Sequence, residues 1–416
     1  MEKLCFYAKD LFLLLRRPGL MAGLERMKRG NIYVSVTLGL LTAFGPFVTD
    51  FYLPVLPEMA EYFRTSPALV SMSLTTGMIG LAAGQVFIGP LTDKYGRRGI
   101  LLGSMLLFAL ASALCILSPN ILIFNVGRFF QGIGGAGGIV ISKSMATDMH
   151  SGRELVSLMG ILAAVNGIAP VFAPLIGGVM SGVTDWKGIF GLLLALGLVL
   201  LVCCALLHET LAPENRIRKG MAGVYANLFH VFRSRTFTFC TLSQMLAHFT
   251  LFGYIASSPF ILQQVYGLSP LQYSLCFATN AFFLASGSIL APRFGRISTS
   301  LRLGAAFMLA GSLCIGCCLV GHLPLAAVMC FYVLTLFGFG LTQPGLLSSA
   351  LESERQNTGA ASAIYGASAF LAGSLVSPIV TLGRMELTSS MVMTAGAILC
   401  IIIVLPLSRS LRTQGS

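Results

Sequence analysis

The chain has 416 residues, of which 56% are hydrophobic and only 10% are charged, and its mean hydropathy is +0.84. Soluble domains carry roughly 25% charged residues, so this composition excludes a soluble globular protein and a disordered one. The apolar residues form continuous runs without alternation, which excludes a transmembrane β-barrel. The class that fits is a helical protein that crosses the membrane many times.

Apolar runs of about 20 residues, the length that spans a bilayer as a helix, occur twelve times along the chain. One long break, at about 209–235, divides them six and six. The sequence therefore predicts an all-α integral membrane protein with twelve transmembrane helices in two six-helix halves. The predicted spans are 33–57, 68–90, 99–118, 121–146, 155–181, 187–208, 237–262, 271–292, 302–320, 325–348, 358–382 and 388–408.

Positive charge predicts the orientation. Most of the 27 Lys and Arg residues lie before the first span, between the second and third, in the central break and after the last span. Such segments stay in the cytoplasm, so both termini are predicted to be cytoplasmic. The net charge of +12 is then an orientation signal and not a nucleic-acid patch. The N-terminal segment at 1–32 is predicted to be cytoplasmic, with a helix on the membrane surface and no cleavable signal. The rest of the chain is predicted to form a first half at 33–208, a cytoplasmic linker at 209–235, a second half at 236–408 and a cytoplasmic tail at 409–416.

Asp50 is the one acidic residue that this scheme places inside a span, and acids inside spans default to functional hypotheses. It follows Gly45-Pro46 and precedes Pro54 and Pro57, so the helix around it can be loosened. Within the outer half of the membrane, this carboxyl could bind and release a proton. If the helix stops near Leu53, Asp50 is instead a helix-end carboxylate that caps a loop.

Arg128 is the clearest basic residue inside a span. An Arg cannot be neutralised there, so it must pair or face water. It could tune a nearby carboxylate, bind backbone carbonyls, or snorkel as an anchor at the outer end. Lys143, nearer the other end of the same span, is interpreted as a snorkelling anchor.

The loop at 89–99 is short and dense in charge. Gly96 permits a tight turn, and Asp93, Arg97 and Arg98 can form a network that latches one conformation. Ordinary anchoring of the membrane would explain the two arginines but neither Asp93 nor the spacing of Gly89 and Gly96. We therefore interpret the loop as a candidate gate.

The predicted fifth span contains two prolines four residues apart and two closing glycines. The prolines can kink the helix and free carbonyls, and the glycines permit close approach of a neighbour. The motif could form a hinge, a seal against ion leak or a passive kink. Its residues are Gly167, Pro170, Pro174, Gly177 and Gly178.

Polar and aromatic residues within spans are candidates for a substrate cavity, since sites for amphiphiles are apolar and aromatic with few polar anchors. His248 could titrate near neutral pH or simply bond to a neighbouring helix. Cys314, Cys317 and Cys318 are interpreted as packing residues, because no second Cys pair or His pair at zinc spacing accompanies them. The Gly-Lys dipeptide of a Walker A motif is absent. The cavity candidates are Phe51, Tyr52, Asn166, Gln244, His248, Tyr254, Asn280, Gln343 and Tyr365.

These patterns resemble the major facilitator superfamily. Residues 89–98 are similar to its loop signature between helices 2 and 3, and 128–132 to its helix 4 signature R-x-x-Q-G. Residues 173–178 resemble the antiporter signature G-P-x-x-G-G, with Ala173 in place of the first glycine. Residues 49–57 are similar to the D-x-Y-L-P-x-L-P signature of drug:proton antiporters. Residues 252–270 and 209–211 resemble the Bcr/CflA subfamily, which includes exporters of bicyclomycin, chloramphenicol and sulfonamides.

The resemblance implies a proton-coupled antiporter that exports amphiphilic small molecules or antibiotics by alternating access, and not an enzyme. Asp50 would be the protonatable carboxylate, Arg128 the base that assists coupling, and Asp93, Arg97 and Arg98 the gate. It implies no cofactor beyond protons, a small-molecule substrate and a bacterial inner membrane. A monomer is expected because the two halves already supply a complete pathway, and the ligand spacing predicts no metal. A transporter of a metabolite such as an amino acid or sugar is the alternative, and a membrane enzyme or sensor a third.

Overall fold

The structure is a computed structural model, and it describes residues 29–216, 225 and 228–413. The predicted surface helix before the first span and part of the predicted linker lie outside these residues. Every regular element of the described chain is helical. Its first six spans are span 1 at 29–62, span 2 at Pro67–Tyr95, span 3 at Arg97–Leu117, span 4 at Ile121–Met149, span 5 at Gly152–Met180 and span 6 at Trp186–Ala205.

Six more helices follow the connection after span 6, which contains short 3-10 turns at Pro213–Asn215 and Phe229–Arg233. They are span 7 at Arg235–Phe260, span 8 at Pro270–Leu290, span 9 at Ile297–Val320, span 10 at Leu325–Ser353, span 11 at Thr358–Val380 and span 12 at Met385–Thr413.

The lengths and compositions of these helices agree with the predicted fold class. Ten described helices are long and apolar enough to cross a membrane, and a pair bent by 41° in span 1 adds an eleventh. Span 4 has 29 residues but lower hydropathy, because Asn125, Arg128, Gln131 and many glycines dilute its apolar side chains. The first span, predicted at 33–57 with a loosened helix around Asp50, breaks near Ala43 and again after Asp50 and continues to Tyr62.

Glycine allows the helices to approach each other at the distance of backbone contact. A Cβ atom at Gly80 of span 2 would overlap the Phe129 carbonyl oxygen of span 4, and one at Gly132 would overlap the Gly77 carbonyl. In the second half, Gly340 of span 10 faces the Leu284 carbonyl of span 8 in the same way. Small residues are the usual means of helix packing in lipid, where no hydrophobic force pulls helices together.

Along spans 5 and 8, the two halves meet at one end of the bundle and separate towards the other. Gly178 lies against Ser274 of span 8, yet a Cβ at Gly167 or Gly160 would have no atom within 4 Å. These three glycines lie on one face of span 5, because residues 11 or 18 positions apart on a helix point within about 20° of the same direction. This face of span 5 therefore packs against span 8 at Gly178 but contacts nothing at Gly167 and Gly160. A cleft opens towards the end that carries the 89–99 loop, which is the predicted cytoplasmic end.

Gly80→Ala should destabilise the protein by about 1–3 kcal/mol, because the new methyl group forces spans 2 and 4 apart. Gly103→Ala is the matched control, since a Cβ there would have no atom within 4 Å. Thermal unfolding of the purified variants in detergent measures the difference. Equal unfolding temperatures for the two variants would contradict this account of the packing.

Candidate proton and substrate site

Asp50 is the last residue of the segment Phe44–Asp50, where span 1 leaves regular helix geometry. Its side chain is almost fully buried and accepts a hydrogen bond of 2.6 Å from the Thr49 hydroxyl. Across the described residues, no ion pair involves Asp50. A carboxyl in this position can take up or release a proton without breaking an ion pair.

Arg128 of span 4 reaches the same break from the side. It is fully buried, and its guanidinium donates to the Val48 carbonyl oxygen and to the Gln131 side chain. It also lies 4.3 Å from the centre of the Tyr52 ring, a cation–π contact. Val48 is among the last four residues of its segment, whose carbonyls lack helical partners. Of the three sequence alternatives, the structure contains the bond to a backbone carbonyl.

Two further carbonyls of the break face other helices. Gln263, beyond span 7, donates a hydrogen bond of 3.0 Å to the Pro54 carbonyl. Gly177 of span 5 packs on the Phe51 carbonyl, and a Cβ at this glycine would overlap that oxygen. The break in span 1 is therefore a contact point of the two halves.

The motif of span 5 divides between packed and open positions. Gly177 and Gly178 are both required by close contacts, the second because Ser274 occupies the place of a Cβ. Pro174 is buried, while Gly167 faces open space. The helix runs unbroken through Pro170 and Pro174.

The 89–99 loop contains a charged network around the buried side chain of Arg97. This guanidinium pairs with Asp93, donates to Asp148 of span 4 at 3.0 Å and donates to Thr92 at 2.8 Å. Arg98 donates to the Ala205 carbonyl at 2.7 Å. The bonds of this network join the ends of spans 2, 3, 4 and 6, all within the first half.

Glu209, just after span 6, caps the start of span 3. Its carboxylate accepts hydrogen bonds from the backbone N–H groups of Arg97 at 2.9 Å and Arg98 at 3.3 Å. Burial alone would raise the pKa of Glu209, but these bonds and those from Thr210 and Leu211 outweigh it, and the pKa lies below its ordinary value. A helix N-terminus stabilises the charged carboxylate.

Gly96 sits directly under this carboxylate. Its φ of +99° is a conformation that favours glycine, and a Cβ would lie 2.5 Å from the Glu209 side chain. Two independent constraints thus require glycine at this turn. Gly89, by contrast, has only an ordinary contact of 3.7 Å with Val140, so packing alone does not explain it.

The cavity candidates of the first half lie in different surroundings. Tyr52 is fully enclosed, with its hydroxyl 2.9 Å from Ser73 Oγ and its ring against Arg128. Phe51 is buried against Phe47 at 5.3 Å between ring centres. Asn166 is exposed in the middle of span 5. Of these three, the structure places Asn166 alone in open space.

The candidates of the second half form two groups. In one, Gln244 of span 7 donates to the Tyr365 carbonyl at 2.7 Å, and its own carbonyl lies 2.8 Å from His248 Nδ1. The His248 ring is partly exposed and contacts Phe339 at 5.0 Å. In the other, buried Asn280 donates to the Tyr254 hydroxyl at 2.9 Å. Gln343 of span 10 is half-buried.

Sequence reasoning missed several partners. Asp148 and Gln263 gave no signal, because their contacts join helices far apart in the chain. Glu209 was part of the family pattern, but nothing in the sequence placed its carboxylate on span 3. The described residues contain no group of three or more His, Cys, Asp or Glu residues that could hold a metal ion.

Comparison with known proteins decides the family. The family model of the Major Facilitator Superfamily matches residues 38–378. The chain belongs to this superfamily. An uncharacterized MFS-type transporter, YdgK of Bacillus subtilis, is 33% identical over 356 residues, which are 84% of this chain and 89% of that protein.

Other similarities agree with this assignment. A bicyclomycin resistance protein homolog of Haemophilus influenzae is 28% identical over 91% of this chain and 96% of its own. The solved structure of the xylose transporter XylE of E. coli superposes with a TM-score of 0.71 at 16% sequence identity. The match covers 90% of this chain and 97% of XylE, and it supports the fold alone. As a member of the superfamily, the chain is a multi-pass membrane transporter of small molecules and not an enzyme.

Glu209→Gln should remove a pH-dependent part of the stability. The lowered pKa means that the stabilisation by Glu209 is complete above the ordinary pKa of a glutamate, about 4.3, and is lost as the pH falls through the folded value. Unfolding temperatures measured from pH 6 to pH 3 should therefore converge for wild type and variant at the acid end. Exposed Glu214→Gln is the control, with no such convergence expected. A constant difference across this range would contradict the prediction.

Arg128→Lys should cost roughly 2–3 kcal/mol of stability, because an ammonium cannot donate to Val48 and Gln131 in the geometry of a guanidinium while stacking on Tyr52. Arg355→Lys, in an exposed ion pair with Glu352, should cost less than about 0.5 kcal/mol. Chemical unfolding in detergent compares the two variants. Similar small losses in both would show that the bonds of Arg128 contribute little.

Proposed function

We propose that this chain is a proton-coupled antiporter that exports amphiphilic small molecules by alternating access. The observation that carries the proposal is Asp50, a buried carboxyl at the break of span 1. Among the described residues, no other Asp or Glu lies more than two turns from the end of its span. The name of the Haemophilus influenzae relative, a bicyclomycin resistance protein homolog, supports a drug as substrate.

Protonation of Asp50 would be sensed through the break itself. The carbonyl that Arg128 binds belongs to Val48, two residues from the carboxyl. A change of charge at Asp50 alters the field at Arg128, which has no acid partner among the described residues. Arg128 would thereby favour the deprotonated carboxylate when the site faces the cytoplasm.

The contacts between the halves support alternating access. Ser377 of span 11 donates to the Ser71 carbonyl of span 2 at 3.0 Å, near the end that we assign to the outside. Gln263 and Gly178 make their contacts to the other half at the same end. Opening this end would require these contacts to break while the cleft at the other end closes. The rocking units would be the halves at 33–208 and 236–408.

The coupling is energetically sufficient. One proton moving down 100 mV releases about 2.3 kcal/mol, and one pH unit adds about 1.4 kcal/mol. Together they support a gradient of several hundredfold for a neutral substrate. We assign the coupling ion as the proton with no other cofactor, both termini to the cytoplasm of a bacterial inner membrane, and the monomer as the working unit, because two halves complete the pathway. Nucleic acid has no part in it.

Asp50→Asn should abolish exchange. Proteoliposomes with an imposed pH gradient and a trapped pH dye receive a panel of amphiphilic antibiotics, bicyclomycin among them. For wild type, at least one compound should dissipate the gradient, and for Asp50→Asn none should, since the amide cannot carry the proton.

Glu58→Gln provides a matched control eight residues along the same broken span. Within the part of the chain that the structure describes, its carboxyl accepts one hydrogen bond, from the backbone N–H of Trp186 at 3.2 Å, and the amide oxygen of a glutamine can keep this bond. This variant should exchange protons like wild type. Exchange by Asp50→Asn at the wild-type rate would refute the role of Asp50, and wild type without response to any compound would favour a metabolite as substrate.

A further inference from the structure

We propose that Lys143 of span 4 is a charge-selectivity residue that favours anionic over cationic amphiphiles in the cleft. The proposal rests on the proposed function and refines its substrate class. The observation behind it is the position of the Lys143 ammonium group, which is exposed, pairs with no described residue and lies on the face of span 4 that points to the opening between the halves.

The direction of Lys143 follows from the contacts of its neighbours on the helix. Ala136 packs against Gly84 of span 2, while Ile139 points to Gly45 of span 1, which also contacts Phe370 of span 11. At about 100° per residue, Lys143 projects between Ala136 and Ile139, one to two turns closer to the predicted cytoplasmic end. It therefore faces the gap between spans 1 and 2, on the side of the second half.

Lys143 does not lie on the lipid side of its helix. The large apolar side chains that span 4 exposes are Leu122, Ile123, Val126 and Phe130. They point roughly 60–160° away from Lys143, all to one side of it around the helix axis. The sequence interpretation as a snorkelling anchor would need the lipid-facing side. The residue also lies six positions before Met149, about 9 Å inside the end of the helix.

The charge of Lys143 is not neutralised by the described part of the chain. Its side chain is exposed and makes no hydrogen bond or ion pair with any described residue. Asp148 is five residues away, but it projects about 140° around the helix and already binds Arg97 and Thr210.

An anionic substrate would gain from this charge in two ways. A charge within about 8 Å of the ammonium, at the effective dielectric of a partly buried site, changes binding by about tenfold or more. Export of a monoanion in exchange for an incoming proton is also equivalent to the inward movement of two positive charges. An inside-negative membrane potential drives this movement. The fitting class is an amphiphile with one acidic group, such as a carboxylate or an ionised sulfonamide.

Binding of two amphiphilic ions of nearly equal size and opposite charge tests the proposal. Tetraphenylborate and tetraphenylphosphonium are dialysed against the full chain in nanodiscs, with empty nanodiscs subtracted. Wild type should bind the anion more tightly. Lys143→Met should lower the anion-to-cation ratio of affinities about tenfold, and Lys143→Glu should reverse the preference, while Lys143→Arg should keep it.

Two further variants control for charge elsewhere. Lys187→Met removes a lysine at the opposite end of the bundle, and Arg153→Met removes an exposed charge at the predicted cytoplasmic end. Both should leave the ratio unchanged. For each variant, the affinities for the anion and the cation are measured on the same preparation and compared as a ratio. Partial loss of folded protein therefore does not change this ratio.

The outcomes separate this inference from the proposed function, because dialysis needs neither transport nor a proton gradient. An unchanged ratio in Lys143→Met and Lys143→Glu, or no specific binding of the anion to wild type, overturns the role of Lys143 while proton exchange through Asp50 stands. A shifted ratio without any drug-driven proton flux in proteoliposomes overturns antiport and leaves the anion site supported.

Discussion

The structure depends on the break in span 1 between Asp50 and Pro54. A broken helix inside a membrane exposes backbone carbonyls that lipid cannot satisfy, so the break persists only where protein groups cover it. Arg128 covers Val48 from within the first half, Gln263 covers Pro54 from the second, and Gly177 lets span 5 lie directly on Phe51. The break is thus held by both halves, and its geometry would change when they move apart.

The two buried charges near the break have opposite roles because their partners differ. Arg128 has a carbonyl, an amide and an aromatic face, a set of neutral groups that stabilise a cation in any state of Asp50. Burying an ion without such partners costs several kcal/mol. Among the described residues, Asp50 has the Thr49 hydroxyl alone, which can hydrogen-bond to either form of the carboxyl. One group is therefore permanently charged and the other can change its charge.

The sequence predicted the fold well, since runs of about 20 apolar residues have few alternatives to a membrane-spanning helix. Span 4 starts at Ile121 as predicted, because Asn120 caps the helix with a hydrogen bond to the Ile123 N–H. Periodicity could not predict the second break of span 1, because Pro54 is tolerated in a first turn as well as at a kink. Long-range contacts were beyond sequence reasoning: the bond of Glu209 to Arg97 spans 112 positions. The direction of Lys143 became visible only when the neighbours of Ala136 and Ile139 were known.

In the proposed mechanism, proton and drug compete for one site through Asp50. Proton release on drug binding tests it most directly, with purified protein in weakly buffered detergent near neutral pH and a pH-sensitive dye. We expect a transported drug to release up to one proton per protein from wild type and none from Asp50→Asn. Drug binding without proton release from wild type, or equal release from both proteins, would contradict it.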